Sequence, residues 1–359
     1  MLLRGMTSYL TPTTNSAPRR SKGRVTILDV ASLAGVAVST VSRVLNASDY
    51  ASVVTRDRVL AAAAELNYKA NPSARGLRRS QTSTIGVLLS DLANPVYTEF
   101  IRGAEHAAQD RGYELLIADG QNSRDVQARM LQNLYERRID ALILRGPIAA
   151  AADCLDRFLA ENVPVYPQVV DAKGPFPVED PCDETQANRA AFRHLVGLGH
   201  RRIHFLSRGL NPQMSERFGA LQTVLREAGM DPSSATLGIV QNVRDCGPLV
   251  RELAHGQTPP TAYIAGAHIL APYLLEAIRD AGLAIPGDVS FICFGDSPWA
   301  VAYNPPISVV RFDYYEAGAL AVQTVLARLC ASDITLPPKL DAEFIDRGSC
   351  GPSRHRSQA

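Results

Sequence analysis

The chain has 359 residues, 46% of them hydrophobic, with 37 Lys and Arg against 36 Asp and Glu. That length suits two or three domains rather than one. No run approaches the ~18 apolar residues of a membrane span, which argues against an integral membrane protein. The N-terminus, MLLRGMTSYLTPTTNSAPRRSKGR, holds no sustained apolar stretch, so no secretory signal is expected and the cytoplasm is. Cys154, Cys182, Cys246, Cys293, Cys330 and Cys350 are scattered with no CxxC pair, as reduced thiols would be. Charge is unevenly placed. Residues 18–80 carry eleven Lys and Arg against four Asp and Glu, a net +7, and the remainder carries 26 against 32, a net −6. A basic head on an acidic body fits a nucleic-acid reader fused to a small-molecule domain.

Residues 1–24 are rich in Thr, Ser, Pro and Arg and read as a disordered basic extension, or as the product of a misassigned start codon. The stretch VTILDVASLAGVAVSTVSRVLN, residues 25–46, then predicts two short helices. Thr26 is placed to N-cap the first, with Asp29 answering as in a capping box. Ile27, Val30, Ala31 and Ala34 share its buried face, and Gly35 allows a sharp turn. In the second helix, from about Val38 to Leu45, Val41, Val44 and Leu45 pack inward. Val38, Ser39, Ser42 and Arg43 stay outside. That is a helix-turn-helix, whose second helix suits a DNA major groove. A helical hairpin in an unrelated core is the bland alternative. A third helix, capped by Thr55 and reaching about Asn67, completes a small core with Val59, Ala63 and Leu66. Arg56 and Arg58 near its start either meet phosphates or form a solvated face. Asn71-Pro72 opens a segment, to Arg78, too short for a stable isolated helix.

From Ile85 the rhythm changes. IGVLL (85–89), ELLIA (114–118), ALIL (141–144) and VPVY (163–166) are short apolar runs, separated by helical patterns near 96–111, 123–137 and 149–161. IHFLS (203–207), TLGIV (236–240), TAYIA (261–265) and VSFICF (289–294) repeat the pattern. Strands alternating with helices predict two doubly wound parallel-sheet lobes, with ligand in the cleft at the carboxyl ends of the strands.

TVSRVLN, then ELNY (65–68), NPSARGLRR (71–79) and TSTIGVLL (82–89), resemble in order and spacing the lactose-repressor (LacI/GalR) family, and the likeness runs to about residue 347. The resemblance implies an all-α helix-turn-helix head at 25–70, a hinge helix and linker at 71–84, and a periplasmic-binding-protein-like body at 85–347, with a disordered tail at 348–359. Lobe 1 would take about 85–181 and 314–341. Lobe 2 would take 182–313 and 342–347, and a last helix near Tyr314 to Ala331 would return to lobe 1. It further implies a DNA-binding regulator, a repressor above all, acting as a homodimer on a near-palindromic operator. A small-molecule effector in the cleft would control it. A ligand-dependent activator and a solute-binding protein of the same fold are the alternatives.

Carried over residue by residue, Val38 and Ser39 hold the positions that set operator preference. Arg43 makes a bidentate contact to guanine. Thr40 and Ser42 position the helix on phosphates, and Thr26 and Asn46 complete the set. Ala74, Arg75 and Leu77 belong to the hinge, with Leu77 as the minor-groove wedge. Ala37 and Gly76 depart from the usual serines. In the cleft the family's arginine falls on Arg217 in SERFGAL. Arg145, ending the run ALIL, points there by position, and the loop DLANPVY brings Asn94 and Tyr97. CFGD leaves Gly295 where an aspartate is usual and keeps Asp296. Ala267-His268 replaces Asn-Asp, Val243 replaces an aromatic, and Trp299 is a candidate stacking face. These residues favour a sugar acid, with a neutral sugar as the alternative. No G-x-x-x-x-G-K-[ST], G-x-S-x-G or H-E-x-x-H is present, so an enzyme is not expected, nor a cofactor. His200 and His204 in HRRIH are not expected to bind metal, because His200 belongs to a turn the family uses structurally.

Overall fold

The computed structural model describes residues 25–45, 52–68, 81–150, 154–168, 181–209, 211–330 and 339–353. The chain divides into two compact units, Met1–Ser80 and Gln81–Ala359.

The head holds helices α1 (Ile27–Ala34), α2 (Val38–Leu45) and α3 (Val53–Glu65). Asp29 Oδ2 accepts from the Thr26 backbone N–H at 2.8 Å, closing the first turn of α1. Gly35 ends that helix at φ +62°, a conformation costly for any residue with a Cβ. Ser52, rather than Thr55, caps α3: its Oγ accepts from the Thr55 N–H at 3.3 Å. Arg58 is not a free surface cation. Its guanidinium donates to the carbonyls of Ala34 and Gly35, tying α3 to the end of α1. Val30, Ala31, Ala34, Val41, Val44, Val59, Ala62 and Ala63 make the core. Every member is Val or Ala, so the helices approach closely and the core is small.

The body begins with β1 (Thr84–Leu89), α4 (Val96–Gln109), β2 (Glu114–Asp119), α5 (Arg124–Glu136), β3 (Ala141–Arg145), α6 (Asp156–Ala160) and β4 (Val165–Gln168). The helix expected over 149–161 is, among the described residues, the short α6. The four strands form one parallel sheet in the order β2-β1-β3-β4. Side chains alternate across it. Ile85, Val87, Leu89, Ala141 and Ile143 face α4. Leu88, Leu142 and Leu144 face α5 and α6.

The second half runs β5 (Cys182–Asp183), α7 (Thr185–Gly197), β6 (Ile203–Ser207), α8 (Pro212–Glu227), β7 (Ala235–Ile239), α9 (Cys246–His255), β8 (Ala262–Ala265), α10 (Ala271–Asp280), β9 (Ser290–Phe294), α11 (Pro298–Ala302), β10 (Ser308–Arg311), α12 (Tyr314–Leu329), β11 (Leu340–Asp341) and β12 (Glu343–Ile345). Its six-stranded sheet has the order β12-β10-β9-β8-β6-β7, parallel except for the edge strand β12. β5 and β11 pair separately, in parallel. Helix α12 leaves the second sheet and packs on the first, where Ala317, Ala321, Val322 and Val325 join the core beneath α4. Gly103 and Gly318 permit this. A Cβ at Gly103 would run into the Tyr315 carbonyl, and one at Gly318 into the Phe100 carbonyl.

Two buried histidines brace the second lobe. His200 Nδ1 meets Thr261 Oγ1 at 2.9 Å and its Nε2 meets Ser290 Oγ at 2.7 Å. His204 bonds Thr236 Oγ1 at 2.8 Å through Nδ1. The two rings have separate partners. Burial pushes the His204 imidazole down to about 4, from 6.5.

Two predictions follow from this packing. Gly318→Ala lowers the unfolding free energy measured by urea titration, by on the order of 1–3 kcal/mol, because the added methyl meets backbone. Gly219→Ala in α8, where a Cβ meets nothing within 4 Å, raises it by about 0.5–1 kcal/mol. Equal effects at the two sites would refute the close-contact reading. His204 is neutral when folded, so the unfolded chain binds more protons as pH falls from 6.5 towards about 4. Stability therefore declines through that window. A His204→Gln variant loses melting temperature less steeply over it, whatever its starting stability; parallel curves would exclude His204 as a source.

Candidate functional site

Two surfaces carry chemistry, and each lies within one unit. On the head, α2 presents Val38, 37% exposed, with Ser39 and Arg43 also exposed. Thr40 and Ser42 are half-buried at its flank. Residues three and four apart lie together on a helix, so Val38 with Ser42, and Ser39 with Ser42 and Arg43, form one face. Ala37 contributes only its carbonyl, which accepts from Thr40 N at 2.8 Å and Val41 N at 3.1 Å. Thr26 is exposed at the start of α1, its hydroxyl donating to Asp29 at 2.7 Å. Asn46, Ala74, Arg75 and Leu77 lie outside the described residues.

In the body, a cavity of about 140 Å³ opens between the two sheets at the carboxyl ends of their strands. This is where an open α/β sheet receives ligands. Lobe 1 supplies Asn94, Tyr97 and Arg145. Lobe 2 supplies Arg208, Arg217 and His268, with Glu184 at the crossing. Tyr97 is fixed by Ser90, hydroxyl to hydroxyl, at 3.0 Å. Asn94 turns the loop inward, its carbonyl side chain accepting from Val96 N at 3.4 Å.

The three arginines are in different states. Arg217 is 4% exposed. Its Nε and Nη2 clamp the two carboxylate oxygens of Glu184, and Nη1 donates to the Gly266 carbonyl at 2.8 Å. Its guanidinium lies 4.4 Å from the Phe294 ring centroid. Arg208 meets Asp91 at 3.1 Å. Arg145 is 7% exposed and has no carboxylate among the described residues. It sits instead against three rings, 5.6 Å from Tyr97, 5.2 Å from Phe100 and 5.5 Å from Tyr314. Its buried Nε has no hydrogen-bond partner among the described residues.

His268 lines the same cavity. Its Nε2 meets Ser297 Oγ at 2.6 Å, and its buried Nδ1 has no partner. Burial, opposed by the Asp296 charge, pushes the ring down to about 4, so it is neutral at pH 7. Gly295 and His268 belong together. The glycine takes φ +99°, and a Cβ there would come within 3.0 Å of the His268 Cβ.

Two expected cleft residues are placed elsewhere. Asp296 does not line the cavity. Arg347, fifty-one residues on, holds both its oxygens at 2.8 and 2.6 Å. Burial raises the Asp296 pKa, but the Arg347 bond and charge outweigh that and leave it below the ordinary carboxylate range. Trp299 packs with the second-lobe core, edge-on to the far side of the His268 ring at 5.3 Å. It supports His268 and offers no stacking wall. Val243 packs against the same core. Glu184, Arg208 and His268 escaped the expected set. Of these, only His268 carried a signal, as one of two departures after the TAYIA strand.

Comparison with known proteins agrees with both units. Residues 26–71 match the family model described as bacterial regulatory proteins, lacI family. Residues 192–350 match a periplasmic binding protein-like domain. The ribose operon repressor of Escherichia coli (strain K12) is 29% identical over 311 residues, covering 85% of this chain and 93% of that protein. Catabolite control protein A of Priestia megaterium is 28% identical, covering 83% and 91%. A crystal structure of the Lac repressor dimer bound to operator and the anti-inducer ONPF superposes with a TM-score of 0.78 at 25% identity. It covers 92% of this chain and all of that one. A transcriptional regulator CelR–cellobiose complex gives 0.62, also at 25% identity. No single helix among the described residues is long and apolar enough to cross a membrane. A helix-turn-helix head and a two-lobed body, matched in order over most of the length of such repressors, leave one conclusion: the chain belongs to the LacI family of bacterial transcriptional regulators.

Proposed function

We propose that this regulator represses transcription by binding a near-palindromic operator as a homodimer, and that a small molecule in the cleft between its lobes controls that binding. The observation that carries the reading is the exposed face of α2, with Val38, Ser39 and Arg43 outward on a helix otherwise packed by Val41 and Val44. Arg43 reads a guanine edge through a bidentate contact. Val38 offers only apolar contact, as to a thymine methyl, and Ser39 a single hydroxyl. Thr26, Thr40, Ser42 and Asn46 hold phosphates and fix the register. Ala74, Arg75 and Leu77 form the hinge, Leu77 entering the minor groove. The head ends near residue 70, the linker near 84, and the two lobes share 85–353: residues 348–353, expected as part of a disordered tail, are tied to the second lobe, where Ser349 Oγ donates to the Phe291 carbonyl at 2.6 Å and Ser290 Oγ to the Gly351 carbonyl at 3.1 Å. Such a protein works in the cytoplasm, at the nucleoid.

Effector control follows from the cleft. Asn94, Tyr97, Arg145 and Arg217 belong to the site, with Arg208, Glu184 and His268 added. Asp296 and Trp299 act behind it. The relatives' names, a ribose operon repressor and a regulator complexed with cellobiose, support a sugar-derived effector. Ligand shifts the dimer only through unequal affinity for the two arrangements of its lobes. Release of DNA on ligand binding is the direction we assign; activation by ligand is the second reading.

Binding to random genomic duplex falls steeply between low and physiological salt, because neutralised phosphates release counterions. A flat response would sink the DNA-reading assignment. In a binding-site selection, Arg43→Ala relaxes preference at one base position, at about 1–3 kcal/mol. An unchanged preference at every position would remove Arg43 from base contact.

A further inference from the structure

Charge in the cleft does not balance. Among the described lining residues, Arg217 is neutralised by Glu184 and Arg208 by Asp91. His268 has no formal charge at neutral pH. Arg145 therefore leaves the lining one positive charge in excess. A buried ion left unpaired is expensive, and the three rings around Arg145 return only part of the lost hydration.

The neighbourhood of Arg145 is unsatisfied in a second, independent way. Arg145 pairs in register with Gln168 on β4, so their side chains leave the sheet on the same face. Gln168 is fully buried, yet neither its Oε1 nor its Nε2 has a hydrogen-bond partner among the described residues. Across the cleft, His268 Nδ1 is buried and unpartnered as well. Native proteins leave few buried polar groups unpaired, and such groups call for an explanation. Arg145 and His268 line one cavity, and Gln168 stands behind it in register with Arg145.

Resting on the reading of the cleft as the effector site, we propose that the effector is a compact, hydroxylated monocarboxylate whose carboxylate is held by Arg145. The guanidinium fork matches a carboxylate bidentately. One excess charge matches a monoanion; a phosphate monoester, near two negative charges at neutral pH, would overshoot it. His268 Nδ1 takes one ligand hydroxyl from lobe 2. Gln168 stands beside Arg145 as a positioning residue, closing on the guanidinium or the bound carboxylate. A neutral sugar would leave the charge on Arg145 unanswered.

The test is the melting temperature of the full-length protein and of Arg145→Met, alone and with titrated probes. The probes are D-ribonate, D-gluconate and glycerate, the matched D-ribose and D-glucose, and ribose 5-phosphate and glucose 6-phosphate. A compound that binds only the folded state raises the melting temperature with its concentration. Without ligand, Arg145→Met melts higher than wild type, since an unpaired buried charge has become apolar; a lower value makes Arg145 structural and overturns the proposal. A carboxylate shifts the wild type more than its neutral partner does, and Arg145→Met weakens its binding by about 10- to 100-fold. Arg145→Lys, which keeps charge but loses the fork, falls between. No shift by any carboxylate, or a larger one by a phosphate ester, also overturns the proposal. Neutral sugars shifting wild type and Arg145→Met alike would overturn the anion yet leave the cleft reading standing. A carboxylate shift that survives Ala267→Phe, which fills the cavity, would instead remove the cleft as the site.

Discussion

The body depends on a short crossing, Phe312 to Tyr314, where the chain leaves the second sheet for the first. Phe312 lies under Arg217, 5.4 Å from its guanidinium carbon to the ring centroid. Tyr314 lies 5.6 Å from Phe312 and 5.5 Å from Arg145. A cation of one lobe is thus joined to a cation of the other by two rings tilted against each other at 48°. Tyr314 packs against both lobe cores and also begins α12. Asp313 caps that helix through Glu316 N at 2.9 Å, which fixes where the crossing ends and α12 starts. The glycines at 103 and 318 then let α12 settle against α4. Alter the crossing and both the cleft floor and the first-lobe core move.

That crossing gives effector control a physical route. Arg217 is immobilised by a carboxylate clamp, a backbone carbonyl and two rings. Among the described residues, Arg145 is held by aromatic faces, which attract a cation without directing it. One lobe therefore brings a finished wall and the other an unfinished one. A ligand that completes the unfinished wall engages groups from both sheets at once. Its affinity then depends on how the lobes sit, which is the differential affinity that any switch requires.

Much of this was legible in the chain. Alternating apolar runs located eight of the strands within two residues at either end, because a parallel sheet covered on both faces demands near-continuous Val, Ile and Leu. The head was legible through Gly35 and the spacing of Val30, Ala34, Val41 and Val44. The four short strands Cys182–Asp183, Ser308–Arg311, Leu340–Asp341 and Glu343–Ile345 were not. Two to four residues carry too little of a period, and their pairing is decided by the sheets they join. Cleft residues were legible where a strand end pointed at them, as at Arg145 and Asn94. They were not where a distant partner decided the matter. Glu184 meets Arg217 from thirty-three positions away, and Arg347 draws Asp296 from fifty-one. Nothing local in CFGD announces that its remaining acid is already taken.

Those two pairings explain why the departures from family pattern are not independent. Asp296 turns to Arg347, so this loop presents no carboxylate to the cleft. Gly295 then offers no side chain, and at φ +99° it yields the space that His268 fills. His268 is itself backed by Trp299 and held by Ser297. Removing carboxylates from this wall while keeping Arg145 opposite makes the cleft more positive. A site selected for a neutral, multiply hydroxylated sugar would gain nothing from that combination, since carboxylates are the strongest acceptors for hydroxyl groups. A site for an anion gains twice: repulsion from the acids disappears, and one guanidinium is left uncompensated until the ligand arrives.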